Sequence, residues 1–526
     1  MKLSLALIVV FINGIFGFKV LGILPFGSKS HFAIGHAILK SLAEAGHNVT
    51  SISPYPLKEP MENYKDISTE DYVEVFFKNN AVNMFAFENT PIVNKIMELI
   101  FIYWINRNGN EVVKYHAVHP KVIEFMNTYE KFDICFMEIF NYDALLGIAE
   151  HVGCKVISYT TTAVVKWADD MTGNVSPPSY VPRPYVQYSD KMSFRERLMN
   201  TFYAHIEDIV YEFIIKPNQR RLYEKYFPNA TKTFDEMYKD TSMIFMNTHI
   251  SLTAPRPYLP SFVEIGGIHI QPVKKLPKVF QNFLDSATDG VILFSMGSVI
   301  RSYQWPVEKR EAFVKVFGKL KQKVLWKYEN DTLPNKPDNV MISSWLPQRD
   351  ILAHPNVKAY ICHGGLLGTT EAVYEGVPVL GIPIFGDQKT IMAKAVTRGY
   401  GLQVYFKDVS EETIGSALDE LLNNPMYKEN AKIISTRFKD RPMTPQQSVV
   451  YWTEYVHRHG GAPHLKAAGN DLDFIAFHMI DVYAVLFFGG ISFIFINYLI
   501  IKWIFMKFSG KPKKTEKKNE KKLKKK

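Results

Sequence analysis

Apolar residues fall along this chain in short continuous runs, and between the runs they recur every three or four positions. The runs predict buried strands and the recurrence predicts helices laid across them, an alternation that builds parallel sheets covered on both faces. The first strand is expected at Val20–Leu24, followed by a loop and a helix with Ile34, Ile38, Leu42 and Ala45 on one face, capped by Ser30 and ended at Gly46. Val49–Ile52 gives a second apolar segment, and Phe132–Met137 predicts a later strand opening onto Glu138. Between them Phe76, Phe77, Phe85, Phe101 and Trp104 suit a core, with an apolar pocket wall or a membrane contact as alternatives.

Beyond residue 277 the rhythm sharpens. Strands are expected at Gly290–Ser295, Lys323–Trp326, Val357–Cys362 and Val379–Ile382, with helices at Pro306–Leu320, through Glu371 and at Ser410–Leu422. The chain is long enough for two domains with separate cores, which we expect at 18–265 and 278–470, joined by a Pro- and Lys-containing linker at 266–277.

The two ends add a membrane to this picture. Residues 1–17 carry Lys2, an apolar run and small residues at Gly14 and Gly17, the layout of a signal peptide. After a stem at 471–481, residues 482–501 hold no charge and as a helix match the roughly 30 Å of a hydrocarbon core. The basic tail at 502–526 then argues for a single span with a cytosolic C-terminus and lumenal domains. Lys511–Lys526 supplies +8 of the net charge of +10, so the basic balance marks a membrane-proximal tail and nucleic-acid binding is excluded. With only Cys135, Cys154 and Cys362, no disulfide framework is expected to support the fold. Asn48, Asn174, Asn229 and Asn330 open glycosylation sequons.

Candidate chemistry concentrates where Val357–Cys362 opens onto His363, Gly364 and Gly365 ahead of a helix, since unpaired amides at a helix start suit a diphosphate. The loop lacks the Lys of a P-loop, so NTP hydrolysis is not expected. Leu293 stands where a nucleophile elbow around Ser295 needs glycine, which leaves Ser295 structural. His116 with His119, and His457 with His459, have no accompanying cysteine pair or third ligand and read as surface histidines. Asp471-Leu472-Asp473 reads as stem, and no metal is expected.

The stretch His363–Gln388, HGGLLGTTEAVYEGVPVLGIPIFGDQ, closely resembles the signature of the UDP-glycosyltransferases, the family that includes the animal UDP-glucuronosyltransferases. Phe294–Ser298, Trp345–Gln348 and the C-terminal anchor extend the resemblance over nearly the whole chain. It implies two facing Rossmann-like domains of the GT-B type plus one C-terminal transmembrane helix. It implies a UDP-sugar cosubstrate, UDP-glucose or UDP-glucuronate, a small lipophilic acceptor, no cofactor, and an endoplasmic reticulum address read from Lys522 and Lys524. A role in detoxification follows from that chemistry, and self-association is left open.

On matching positions, Trp345 and Gln348 would hold the uracil, Glu371 the ribose, and His363 and Ser298 the diphosphate, beside Gly364 and Gly365. Asp387 and Gln388 would hold the sugar. His31, at a helix start after the first strand, would be the general base and Glu138 its orienting partner, Glu standing where the family usually has Asp. Cys362, Leu367 and Gly368 also depart from the usual Thr or Ser, Asn and Ser. The resemblance places Met246 where glucuronosyl-transferring members carry an Arg, so UDP-glucose is the expected donor, with Arg256 as another base able to read a carboxylate. The departures leave room for a catalytically silent lipophile-binding relative.

Overall fold

The computed structural model describes residues 17–79, 91–162, 166–183, 186 and 188–510. The body of the signal segment, the Phe85 position and the lysine tail with Lys522 and Lys524 lie outside them, as does the side chain of Phe101.

Two all-parallel sheets organise the globular unit. The first contains β1 (Lys19–Ile23), β2 (Asn48–Ser53), β3 (Tyr64–Ser68), β4 (Ile134–Glu138), β5 (Lys155–Thr160), β6 (Met243–Met246) and β7 (Phe262–Glu264), in the order β3-β2-β1-β4-β5-β6-β7. The second contains β8 (Val291–Ser295), β9 (Lys323–Lys327), β10 (Val340–Ser343), β11 (Val357–Cys362), β12 (Val379–Gly381) and β13 (Gly401–Gln403), in the order β10-β9-β8-β11-β12-β13. In both sheets the order reverses beside the first strand, between β1 and β4 and between β8 and β11. The crevice beyond the carboxyl ends at such a reversal is where open α/β sheets bind ligands.

Strand alternation explains why both faces are covered. Leu21, Ile23, Cys135 and Met137 enter one core, whereas Val20, Ile134, Phe136 and Phe245 enter the core on the opposite face. The second sheet divides likewise, with Ile292, Phe294 and Ile361 on one side and Val291, Leu293 and Tyr360 on the other.

Seven helices matter below: α1 (Lys29–Glu44), α2 (Phe194–Val210), α3 (Lys216–Tyr226), α4 (Leu366–Tyr374), α5 (Gln388–Thr397), α6 (Pro445–Arg458) and α7 (Ile480–Phe508). Ser28, not Ser30, takes the N-cap position of α1, and it does so without a side-chain cap bond. Helix α6 lies in the stretch assigned by sequence to the second domain, yet Val449 and Val456 pack into the first domain's core with Ile34 and Ile38 of α1.

Two expectations are overturned. Cys135 and Cys154 form a disulfide: β4 and β5 are neighbours in register, Ile134 opposite Lys155, and this brings the two cysteines to a Cα separation of 5.7 Å. Cys362 is the remaining thiol and is buried. His116 and His119 are buried rather than superficial. Thr69 Oγ1 lies 3.2 Å from His116 Nε2, Asp71 Oδ1 lies 3.2 Å from His119 Nε2, and burial holds His116 down at about 4.

The segment after Ala467 forms a separate unit. Asp473 caps a short helix there, and α7 contains the expected 482–501 span. Among the described residues α7 is the one helix long and apolar enough to cross a membrane.

Candidate active site

His31 sits in the first turn of α1, just past β1, and Glu138 is the last residue of β4, so the first sheet's reversal point presents both. His31 Nδ1 lies 2.5 Å from Glu138 Oε1. Thr161, just past β5, donates to the same oxygen and its Oγ1 lies 3.1 Å from His31 Nδ1. The Tyr142 hydroxyl donates to Glu138 Oε2 at 2.6 Å. Burial, with Glu138 adding to it, pushes the Tyr142 phenol far above its usual range, so it stays a neutral donor. Sequence reasoning missed Thr161 and Tyr142. The strand-end rule supplies a signal for Thr161, whereas Tyr142 lies in a loop without a pattern.

An apolar wall flanks the imidazole. Phe26 and Phe140 approach it with ring centroids 4.5 and 4.7 Å away, and Phe76 packs on Phe26 at 5.0 Å. Part of the aromatic-rich stretch thus backs the ring beside His31.

The second sheet's reversal point carries the other candidates. His363 follows β11 and its ring is clasped between two glycines: a Cβ on Gly297 would meet it at 2.6 Å and a Cβ on Gly365 at 2.3 Å. Gly297 also has φ of 80°, a left-handed conformation that glycine adopts without strain. Burial holds His363 down at about 4, so the imidazole is neutral at physiological pH, and its Nδ1 is buried without a hydrogen-bond partner. Gly365 is the N-cap of α4, which has no side-chain cap bond and no acidic residue in its first turn, and Gly364 completes the loop. Those amides and the orphaned imidazole nitrogen form a cradle suited to a diphosphate. Ser298, beside Gly297, is exposed toward solvent.

Glu371, on α4, accepts a hydrogen bond from Gln348 Nε2 at 2.7 Å, and Gln348 Oε1 accepts one from Tyr360 at 3.1 Å. Burial pushes the Glu371 carboxyl up to about 7. Trp345 presents its ring, 63% exposed, near the start of α1, where Lys29 Nζ stands 5.4 Å from the ring centroid. Asp387 occupies the N-cap position of α5 and is pushed up to about 6 by burial. Gln388 Oε1 accepts from the backbone of Ile384 and Phe385 at 2.8 and 3.1 Å, which fixes the loop and leaves its amide NH2 to donate.

The structure therefore brings Glu138 and His31 together, and Gln348 and Glu371 together. Met246 is not among them. It is buried in the first domain's core with Ile244 and Phe262. Arg256 pairs with Asp169 at 3.4 Å and lines a separate part of the interdomain cleft with Lys394 and Arg398.

Two facing parallel α/β domains with candidate residues at both reversal points define a GT-B glycosyltransferase. The fold agrees with solved structures: the glycosyltransferase VinC in complex with dTDP matches with a TM-score of 0.56 over 84% of this chain and all of that one, at 16% identity. The spinosyn forosaminyltransferase SpnP matches with a TM-score of 0.53 over 84% of this chain and 99% of that one, at 16% identity.

The family model described as UDP-glucoronosyl and UDP-glucosyl transferase matches residues 19–515, and the chain belongs to that family. A UDP-glycosyltransferase of Dactylopius coccus, UGT5, is 39% identical over 94% of this chain and 93% of its own length. UDP-glucosyltransferase 2 of the same insect is 35% identical over 95% and 96%, and human UDP-glucuronosyltransferase 2B15 is 30% identical over 92% and 93%. The chain is a UDP-glycosyltransferase that moves a sugar from a UDP-sugar to small acceptors.

Proposed function

We propose that this enzyme transfers glucose from UDP-glucose, with inversion, to hydroxyl groups of small lipophilic molecules, with His31 as the general base. The observation that carries the reading is the Glu138–His31 contact of 2.5 Å at the first sheet's reversal point. Glu138 accepts from Nδ1–H of His31, which leaves the Nε2 lone pair to take the acceptor's proton. The deprotonated oxygen attacks the anomeric carbon, the bond to UDP breaks, and its electron pair stays on the departing phosphate oxygen. The α4 amides and His363 stabilise that charge. Trp345 stacks the uracil with Gln348 beside it, Glu371 accepts from the ribose, Ser298 donates to the diphosphate, and Asp387 with Gln388 holds the sugar hydroxyls.

The insect relative named UDP-glucosyltransferase 2 supports glucose as the donor. Met246 contributes less to that choice than its sequence position suggests, because a side chain buried in the first domain's core is poorly placed to read a sugar. The leader-like segment and the lysines at 522 and 524 support residence in the endoplasmic reticulum membrane with the two domains in the lumen.

His31→Ala should abolish transfer while UDP binding persists, and near-normal turnover in that variant would remove His31 from the mechanism. Competition between UDP-glucose and UDP-glucuronate for one good acceptor reads the donor directly as a ratio of kcat/KM. UDP binding with no UDP release from either donor, across a broad acceptor panel, would convert the reading to a silent lipophile-binding relative.

A further inference from the structure

Helix α5 begins at the residues proposed to hold the sugar, and further along it carries a second set of polar groups. Thr390, Lys394 and Thr397 fall on one face of the helix. That face closes a cavity of about 80 Å³ with residues 253–258, 180–182 and 188–190 of the first domain. The walls are held on each side. Arg398, one residue past α5, donates to the carbonyls of Ser251 and Thr253, the second at 2.7 Å, and Thr390 Oγ1 donates to the Val186 carbonyl at 3.0 Å. Helix α2, which continues through the π-helical turn Tyr211–Ile215 into α3, fixes the remaining wall. Its Asn200 Nδ2 donates to the Val181 carbonyl at 2.9 Å, and Asn200 Oδ1 accepts from the Arg183 amide at 2.9 Å.

The charges in this cavity do not balance. Arg256, Lys394 and Arg398 line it, whereas the carboxylate among its described lining residues is Asp190, which is exposed. Asp169 is already engaged by Arg256 at 3.4 Å, and Arg256 Nε remains buried without a partner. Among the described residues no carboxylate pairs with Lys394 or Arg398. Holding a partly buried ammonium beside two guanidinium groups costs free energy that a bound anion would offset. The same crowding acts on the lysine itself: burial, with Arg398 and Arg256 adding to it, pulls Lys394 down to about 8.

We propose that this cavity is an oxyanion site, taking a carboxylate or phosphate group between the two domains. Lys394 offers three donors and each guanidinium a planar fork, the donor set that matches such a group. The cavity is separate from the diphosphate cradle on α4. It is also too small for a UDP-sugar, and Lys394 stands two helical turns, about 10 Å, past Asp387. Because the walls come from both domains, an anion bound there stabilises their present arrangement. Two sources supply the group: an acceptor that carries an acid, or a free anion.

The probe is inorganic phosphate, added to the full chain in detergent at constant ionic strength, with UDP saturating so that the α4 cradle is filled. Tm should rise by a few degrees along a saturating curve. Lys394→Met, which deletes a cation, and Thr397→Glu, which puts a carboxylate into the cavity from an exposed position, should each remove the rise. In parallel, kcat/KM is measured for a phenol and for its para-carboxylate. A several-fold loss in Lys394→Met confined to the carboxylated acceptor, with phosphate competing against it, supports the site and assigns it to the acceptor's acid group. A phosphate rise removed by both variants, with the two acceptors affected alike, supports the site and assigns it to a free anion. No rise together with no loss confined to the carboxylated acceptor overturns the proposal, as does a rise that both variants retain. A loss in Lys394→Met confined to UDP-glucuronate as donor would make the cavity part of the donor site and overturn it as well.

Discussion

Replacing Glu138 with Gln removes the charge beside His31 while keeping the size of the side chain, and the structure decides between two outcomes of very different size. An amide places its oxygen at one former carboxylate position and its NH2 at the other. At the Oε1 position it meets two donors, the His31 Nδ1–H and the Thr161 hydroxyl. At the Oε2 position it meets, among the described residues, the Tyr142 hydroxyl, which can rotate to accept instead of donate. The amide oxygen should therefore stay at Oε1, keep the imidazole in its present tautomer and leave Nε2 as the base.

What is lost is then the charge assistance of the bond. The difference between a charged and a neutral hydrogen bond is about 1–2 kcal/mol, or roughly five- to thirtyfold in kcat. Had the amide turned over, its NH2 would force the proton onto Nε2, and the loss would approach the roughly 10⁴-fold of a wrong-tautomer triad. Thr161→Val removes one of the two donors that hold the amide in place, so the double variant should lose much more than the product of the single losses. Steady-state kcat from UDP release, with circular dichroism to confirm folding, measures all three. A single-variant loss beyond a thousandfold would refute the orientation argument, and an unchanged kcat would refute the role of Glu138.

Gly368→Ser should raise the donor KM several-fold, because a Cβ there meets Tyr360 Oη at 2.8 Å and Gln348 Nε2 at 3.1 Å, and overpacking of this kind costs about 1–3 kcal/mol. Tyr360→Phe should restore much of the loss, and calorimetric titration with UDP checks both variants. For pH, the ribose and sugar hydroxyls need ionised acceptors, and the raised values of Glu371 and Asp387 mean that both carboxyls gain protons as pH falls through about 7 and then about 6. UDP affinity should fall with Glu371 on that descent, UDP-glucose affinity should fall again with Asp387, and Glu371→Gln should flatten the first step. Affinity for both ligands constant through the two values would refute it.

The strand rhythm was readable from the chain because buried parallel strands need continuous apolar runs, and Val357–Cys362 is observed with the boundaries expected. What the rhythm does not carry is register. The Cys135–Cys154 bond depends on β4 and β5 lying side by side, and the proximity of Thr161 to Glu138 depends on the same pairing. Helix α6 illustrates the same limit: its apolar face is visible in the sequence, but nothing local says that the face belongs to α1 of the other domain. The histidines at 116 and 119 were misplaced because spacing alone does not reveal that Thr69 and Asp71, far back in the chain, are their partners.

The departures around the phosphate loop show how a long-range neighbour can change the meaning of a local residue. Read alone, Gly368 is a missing hydroxyl at a helix start. In the structure the space beside it holds the Tyr360 hydroxyl, which reaches Gln348 and through it Glu371. Tyr360 belongs to β11, where an inward tyrosine looks like ordinary core, and its fully buried ring does pack there. Its oxygen nevertheless emerges at the carboxyl end of the strand, beside the residues proposed to hold the nucleoside. Cys362 fits the same account: its thiol, pushed up to about 11 by burial, stays neutral and lies 3.4 Å from the Gly364 amide. Both positions thus have contacts of their own in this chain, and the loss of side-chain donors at 362 and 368 does not by itself argue for a silent enzyme.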